Sequence, residues 1–180
     1  MTELPPNDES ANSRSHSAHP VLLSDVVFEM ESQPEEWSVF VDRKTGQVVG
    51  VPADAFQAAE ARESGDDEYF GDATPEMIEL AGRIESSSEY VRLPDQFEIH
   101  EWEIMRDFVT SVENDAARDR LLNAIHGKGA FRYFKDAVFE LELRDEWFAF
   151  RDAAIEAIAI RWLEANNLVW TRDRNTMGET

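Results

Sequence analysis

Apolar residues recur every third or fourth position through most of the chain after residue 70, and alternate over two short runs between residues 37 and 51. The first period predicts amphipathic helices, the second strands. Val26, Val27 and Met30 form the apolar side of a short helix that Ser24 opens and Pro34 ends. The Ser24 hydroxyl can cap the first free N–H groups, and Asp25 suits the positive helix end. Residues 37–41 and 47–51 read as two strands. The five-residue loop Asp42-Arg43-Lys44-Thr45-Gly46 joins them as a hairpin, with Gly46 at a left-handed position. Two strands alone are marginal, so another element must cover one face.

Residues 52–63 suit a helix through Ala53, Phe56, Ala59 and Ala61, and Glu63-Ser64-Gly65-Asp66-Asp67-Glu68 follows as an acidic loop. Thr74-Pro75-Glu76 is a helix start, with Thr as cap, Pro in the first turn and an acid next. That helix carries Met77, Ile78, Leu80, Ala81 and Ile84, and three serines at 86–88 stop it. Residues 90–93 form a β-prone run before Pro94, a third strand on the hairpin. A helix over 98–113 places Trp102, Met105, Phe108, Val109 and Val112 on one face. Asn114 caps a helix over 115–126 whose core side is Leu121, Leu122 and Ile125, and Gly127 is its left-handed stop. Residues 130–143 form the next helix. Phe131, Phe134, Val138 and Leu141 line its apolar face, and Arg132 and Lys135 lie on an adjacent one. Residues 144–165 form the longest helix. It is apolar around most of its circumference and is therefore expected at the buried centre. Leu168, Val169 and Trp170 then pack back.

These elements amount to an α+β fold, predominantly helical, with a small antiparallel β-hairpin sheet followed by a helical bundle. Residues 21–170 are expected to form a single globular domain. The segments 1–20 and 171–180 are expected to be disordered tails, because polar chain cannot bury enough apolar surface to offset its entropy. His16 and His19 then belong to a tail and are not ligands. Five Trp and eleven Phe among 180 residues suit a real core. There is no cysteine, which removes disulfides, zinc–thiolate sites and cysteine nucleophiles and suits a reducing cytoplasm. No run approaches the ~18–20 apolar residues of a membrane span, and residues 1–19 lack the apolar core of a secretory signal.

A net charge of −21 weighs against broad contact with nucleic acid, which needs clustered Lys and Arg. A well-solvated surface accounts for the acidity; mimicry of nucleic acid before a basic partner is the sharper alternative. Gly127-Lys128-Gly129-Ala130-Phe131-Arg132-Tyr133-Phe134-Lys135-Asp136 stands out against that charge, with three cations and no acid before Asp136. Two glycines bracket a tight turn, and the free N–H groups of the following helix face it. Such a helix start attracts anions. Lys128, Gly129, Arg132 and Lys135 are therefore the candidate anion- or partner-binding residues. The alternative is structural: glycines stop helices, Phe131 and Phe134 enter the core, and the cations pair with nearby acids.

Other chemistry is poorly supported. Gly127-Lys128 is followed by Gly and not by Ser or Thr, so this is not a nucleotide P-loop. The acidic loop lacks the alternation and terminal Glu of a calcium loop. His100-Glu101-Trp102-Glu103 has no second His four residues on, so a solvated helix edge is expected there. No nucleophile–base pair is visible, no cofactor is implied and no catalytic residue is assigned. An enzyme would need Glu101, Glu103 or Asp136 to meet His100 or His126 in a pocket.

The same stretch resembles the Gly-Lys-Gly-Ala-Phe-Arg-Arg-Phe-Lys-Asp signature of the bacterial uncharacterised protein family 0158. Tyr133 stands where that signature has its second arginine, which reduces the basic cluster. Asp42-Arg43-Lys44-Thr45-Gly46, Met105-Arg106-Asp107-Phe108, Trp147-Phe148-Ala149-Phe150 and Trp162-Leu163 also resemble family segments in order. The resemblance runs from about residue 21 to 170. It implies one domain in the bacterial cytoplasm and no particular activity. The leading functional expectation is a non-enzymatic protein-interaction or regulatory module. The alternative is nucleic-acid binding through the helix-turn-helix-like segment 115–143.

Overall fold

The computed structural model describes residues 19–65, 71–95 and 98–173. Twelve elements follow in order: β1 (Val21–Leu22), α1 (Leu23–Ser32), β2 (Trp37–Asp42), β3 (Val48–Pro52), α2 (Ala53–Glu63), α3 (Pro75–Ser86), β4 (Tyr90–Arg92), α4 (Glu101–Ser111), α5 (Asp115–Ala124), α6 (Ala130–Glu140), α7 (Arg144–Ala165) and β5 (Trp170–Thr171). The fold is α+β and mainly helical, as the periodicity predicts.

The hairpin pairs β2 with β3 antiparallel, Val39 opposite Gly50 and Val41 opposite Val48. The β-prone run before Pro94 does join it: β4 adds to the other side of β2, Phe40 opposite Arg92. The sheet order is β3-β2-β4. Side chains alternate across a strand, and here the two faces serve two apolar clusters. Val39, Val41 and partly buried Val48 join the main core. Val51 joins a smaller cluster with Ala55, Ala58, Ala59, Ile78 and Ala81 of α2 and α3, and Phe40 meets Phe56 with ring centroids 6.0 Å apart. The sheet therefore separates an alanine-rich helical pair from the larger bundle.

A second, parallel pair was not legible from periodicity. β1 lies beside β5, with Val21 opposite Trp170, and joins the two ends of the described chain. Thr171 and Arg172 lie within the expected C-terminal tail, yet Thr171 is paired here and Arg172 holds Glu156. Residues 1–18 and 174–180 of the expected tails, and residues 66–68 of the acidic loop, lie outside the described residues.

Strand β1 also changes how α1 begins. The first helical residue is Leu23, preceded by extended Leu22, with no side-chain cap. Ser24 is thus inside the helix, and its hydroxyl donates to Asp25 at 3.4 Å instead of capping. Two other predicted caps are present: Thr74 accepts from the Met77 N–H at 3.4 Å, and Asn114 from the Ala117 N–H at 3.0 Å. At the start of α3, backbone N–H bonding and then the Thr74 hydroxyl hold the Glu76 carboxyl below its ordinary range.

The bundle core is aromatic where α4, α6 and α7 meet. Phe134 and Trp147 pack edge-on at 4.8 Å, Phe108 meets Trp147 at 5.3 Å, and Phe150 meets Phe108 at 5.5 Å. Three expectations about these helices need correction. Helices α4, α5 and α6 are shorter than their apolar runs: α4 starts at Glu101, α5 ends at Ala124 and α6 at Glu140. Phe131 is 43% exposed, because Phe134, Ala137 and Val138 form the inward stripe of α6. Helix α7 is not buried all round. Trp147, Ile155, Ala159 and Leu163 form one buried line, while Phe148 is 45% exposed and alanines occupy much of the outer face.

Candidate functional site

The glycine-rich turn lies between α5 and α6. Helix α5 ends with the Ile125 N–H bonded to the Leu121 carbonyl, and Gly127 and Gly129 both take positive φ, 82° and 86°. Gly129 is the residue before α6, so α6 starts from a left-handed backbone that an L side chain adopts only at a cost. A Cβ at Gly129 would also sit 3.2 Å from the Tyr133 ring. Trp102 fixes the turn from the α4 side. It was expected in the core, but its ring is 41% exposed and its Nε1–H donates to the Ile125 carbonyl at 3.1 Å. That bond satisfies a carbonyl at the end of α5 which the helix leaves free.

Lys128, Gly129, Arg132 and Lys135 are all exposed. Among the described residues none of the three cations forms an ion pair, in contrast to Lys44 with Glu89, Arg118 with Asp115 and Arg120 with Glu140. Among the described residues, the expected pairing of these cations with neighbouring acids is therefore not formed. The Arg132 guanidinium lies 5.7 Å from the Tyr133 ring centroid. Around these charges Phe131, Tyr133 and Phe139 are exposed, Phe139 by 69%. Positions 131, 135 and 139 are four residues apart, so Phe131, Lys135 and Phe139 follow one line along the solvent side of α6.

Lys135 faces a cleft where α4, α6 and α7 converge. This cleft of about 360 Å³ is lined by Glu101, Lys135, Val138, Phe139, Arg144, Trp147, Phe148 and Arg151. Arg151 is the most constrained charge there. Its Nε–H donates to Glu101 at 3.0 Å and a terminal N–H to Glu31 at 2.5 Å, which ties α7 to α4 and α1. Burial pulls its pKa down, but the hydrogen bonds and charges of Glu101 and Glu31 outweigh it and leave the guanidinium more basic than usual. Arg144 rests on Phe148, 5.6 Å from the ring centroid. Sequence reasoning missed Arg144 and the cleft itself, since α4 and α7 reach it from distant positions, Glu101 and Arg151 being 50 apart. Only Lys135, itself part of the glycine-rich stretch, pointed in this direction.

The acid–histidine arrangement that an enzyme would need is not assembled in this cleft. Glu101 lines it without His100 or His126, and Glu101 is held by Arg151. Among the described residues no three or more His, Cys, Asp or Glu side chains are placed to hold a metal ion. No helix among the described residues is long and apolar enough to cross a membrane. The helix-turn-helix-like segment consists of α5, the turn 125–129 and α6, with the exposed acids Asp136 and Glu140 on α6.

Comparison with known proteins gives a family. The model described as Uncharacterised protein family (UPF0158) matches residues 70–176, which include α3 to β5 and the glycine-rich turn. Among curated proteins, the UPF0158 protein PA5073 of Pseudomonas aeruginosa is 32% identical over 66 residues, 36% of this chain. The matched segment spans 43% of that protein, less than half its length. No solved structure matches. With a family model covering more than half of its length, the chain belongs to the UPF0158 family.

Proposed function

We propose that this protein is a non-catalytic interaction module of the bacterial cytoplasm, and that Lys128, Gly129, Arg132 and Lys135 form its contact site for an acidic segment of a protein partner. One observation carries the reading. These three cations are exposed and without ion pairs among the described residues, in a chain of net charge −21. Elsewhere Lys44, Arg92, Arg118, Arg120, Arg151 and Arg172 each hold a carboxylate. Arg43, Arg62, Arg83, Arg144 and Arg161 also lack an ion pair among the described residues but stand apart from one another in the sequence, whereas three such cations within positions 128–135 mark a place where a carboxylate from outside can dock. The exposed rings of Phe131 and Tyr133 add the aromatic contact area that interface cores favour. Nucleic acid is a weaker fit, because phosphates along α6 would meet Asp136 and Glu140.

The test is affinity capture from a bacterial lysate with the wild-type chain and with Lys128→Ala/Arg132→Ala/Lys135→Ala, after circular dichroism and melting show equal folding. The expected result is a protein recovered by the wild type, resistant to nuclease, and reduced at least tenfold in the variant. Equal recoveries by both chains would sink the proposal. Recovery that disappears with nuclease would replace the protein partner with nucleic acid.

A further inference from the structure

The α4–α6–α7 cleft has a composition unlike the rest of the surface. Its lining carries three cations, Lys135, Arg144 and Arg151, against one carboxylate, Glu101. Arg151 is committed to Glu101 and Glu31. The side chains of Lys135 and Arg144 hold no carboxylate: among the described residues neither makes an ion pair or a side-chain hydrogen bond, and the Arg144 guanidinium rests only on the Phe148 ring. Arg144 is moreover the first residue of α7, where the positive helix end disfavours a cation, so α7 gains nothing from its charge. The next residues, Asp145 and Glu146, suit that helix end but do not line the cleft. Two uncommitted cations beside low-dielectric walls concentrate anions.

The walls add a shape requirement. Phe148 and Phe139 are exposed large rings at the rim, and buried Trp147 and Val138 lie behind them. A flat apolar body would cover those rings in offset or edge-on contact. The volume, about 360 Å³, is near the lower end of small-molecule pockets, ~300–1,000 Å³. We infer that this cleft is a binding site for a small organic anion with a planar apolar body, its acid group between Lys135 and Arg144 and its body against Phe139, Trp147 and Phe148. The inference shares Lys135 with the proposed partner contact; Arg144 and the aromatic walls belong to it alone.

The test is a ¹H–¹⁵N correlation titration of the full chain with naphthalene-1-sulfonate, with 1-naphthalenemethanol as the uncharged probe of similar shape. The sulfonate is expected to shift the amides of Val138, Phe139, Arg144, Trp147 and Phe148 saturably and to bind at least tenfold more tightly than the alcohol. Arg144→Gln and Lys135→Gln should each weaken the sulfonate at least tenfold and the alcohol much less. Lys128→Ala/Arg132→Ala should leave both titrations unchanged. Equal affinity for the two probes would overturn the inference. So would shifts centred on the neighbouring groove of Phe108, Leu141 and Phe150, or no saturable shift at all. If the sulfonate fails while the triple alanine variant still loses its partner, only the cleft assignment falls. A sulfonate that saturates while capture is unchanged leaves the cleft standing and removes the partner contact.

Discussion

Gly46 shows how one side chain fewer can hold two parts of a chain together. It takes φ 69° at the end of the hairpin loop, and its N–H donates to the Asp42 carbonyl at 2.8 Å. A Cβ there would meet the His19 and Pro20 carbonyl oxygens at 2.7 and 2.8 Å. These are backbone atoms leading into β1, so they cannot swing aside. Gly46→Ala therefore combines left-handed strain of ~1–2 kcal/mol with overpacking of ~1–3 kcal/mol. The expected loss is about 2–5 kcal/mol, read as a lower urea midpoint at unchanged slope. Lys44 and Arg43 illustrate two fates of a cation in the same loop. Lys44 pairs with Glu89, whose hydrogen bond and then charge raise its pKa, whereas Arg43 donates to the Asn166 carbonyl at the end of α7 at 2.8 Å. The latter bond pins the hairpin to the bundle.

The helix starts divide into those with a side-chain cap and those without, which gives a direct comparison between Asn114 and Ser24. Asn114 satisfies the Ala117 N–H at the start of α5, and losing such a cap costs ~1 kcal/mol. Asn114→Ala is expected to destabilise by that amount in chemical denaturation. Ser24→Ala is expected to change stability by less than ~0.5 kcal/mol, as for exposed positions outside special features. Serine satisfies no free N–H of α1, whose start is set by β1. A loss at Ser24 equal to that at Asn114 would contradict this account of α1. Among the longer helices, α6 shows why an apolar period alone misplaces a ring. Phe131, Phe134 and Val138 share a period, but Ala137 fills the inward line and leaves Phe131 beside Lys135 on the open side.

The two apolar clusters differ in what they bury. The main core contains Phe108, Phe134, Trp147 and Leu163, whereas four of the six buried residues of the smaller one are alanines. Burial stabilises roughly in proportion to apolar area, ~25 cal/mol per Å², so the α2–α3 layer contributes less per residue. Regions with less apolar burial open before the rest. Amide exchange of α2 and α3 is therefore expected to be at least tenfold faster than that of α4 and α7, about 1.4 kcal/mol less protection. Uniform protection across the sheet would show that the two clusters open as one unit. The cleft and the exposed cations lie on the side of the larger core, on α4, on α6 and the turn before it, and on the first turns of α7, so local opening of α2–α3 leaves them in place.

The sequence by itself determined the elements. Three-and-four spacing identified the helices, alternation and the Gly46 turn identified the hairpin, and Thr74, Asn114 and Gly127 marked helix ends, because each signal depends on residues within one or two turns. It also singled out Lys128, Arg132 and Lys135, since a cluster of cations in a chain of net charge −21 is a local feature. Only the tertiary structure decided the contacts between distant segments. Periodicity says which side of a helix is apolar, not which neighbour covers it, so Phe131, Trp102 and Phe148 were assigned to the core and emerged part-exposed. The β1–β5 pair joins two-residue strands nearly 150 positions apart, too short to leave a pattern. Whether the three cations would be neutralised by acids of the same chain depended on distances that no spacing encodes. So did the cleft that Lys135 and Arg144 both line, which required α6 and α7 to pack through Phe134 and Trp147.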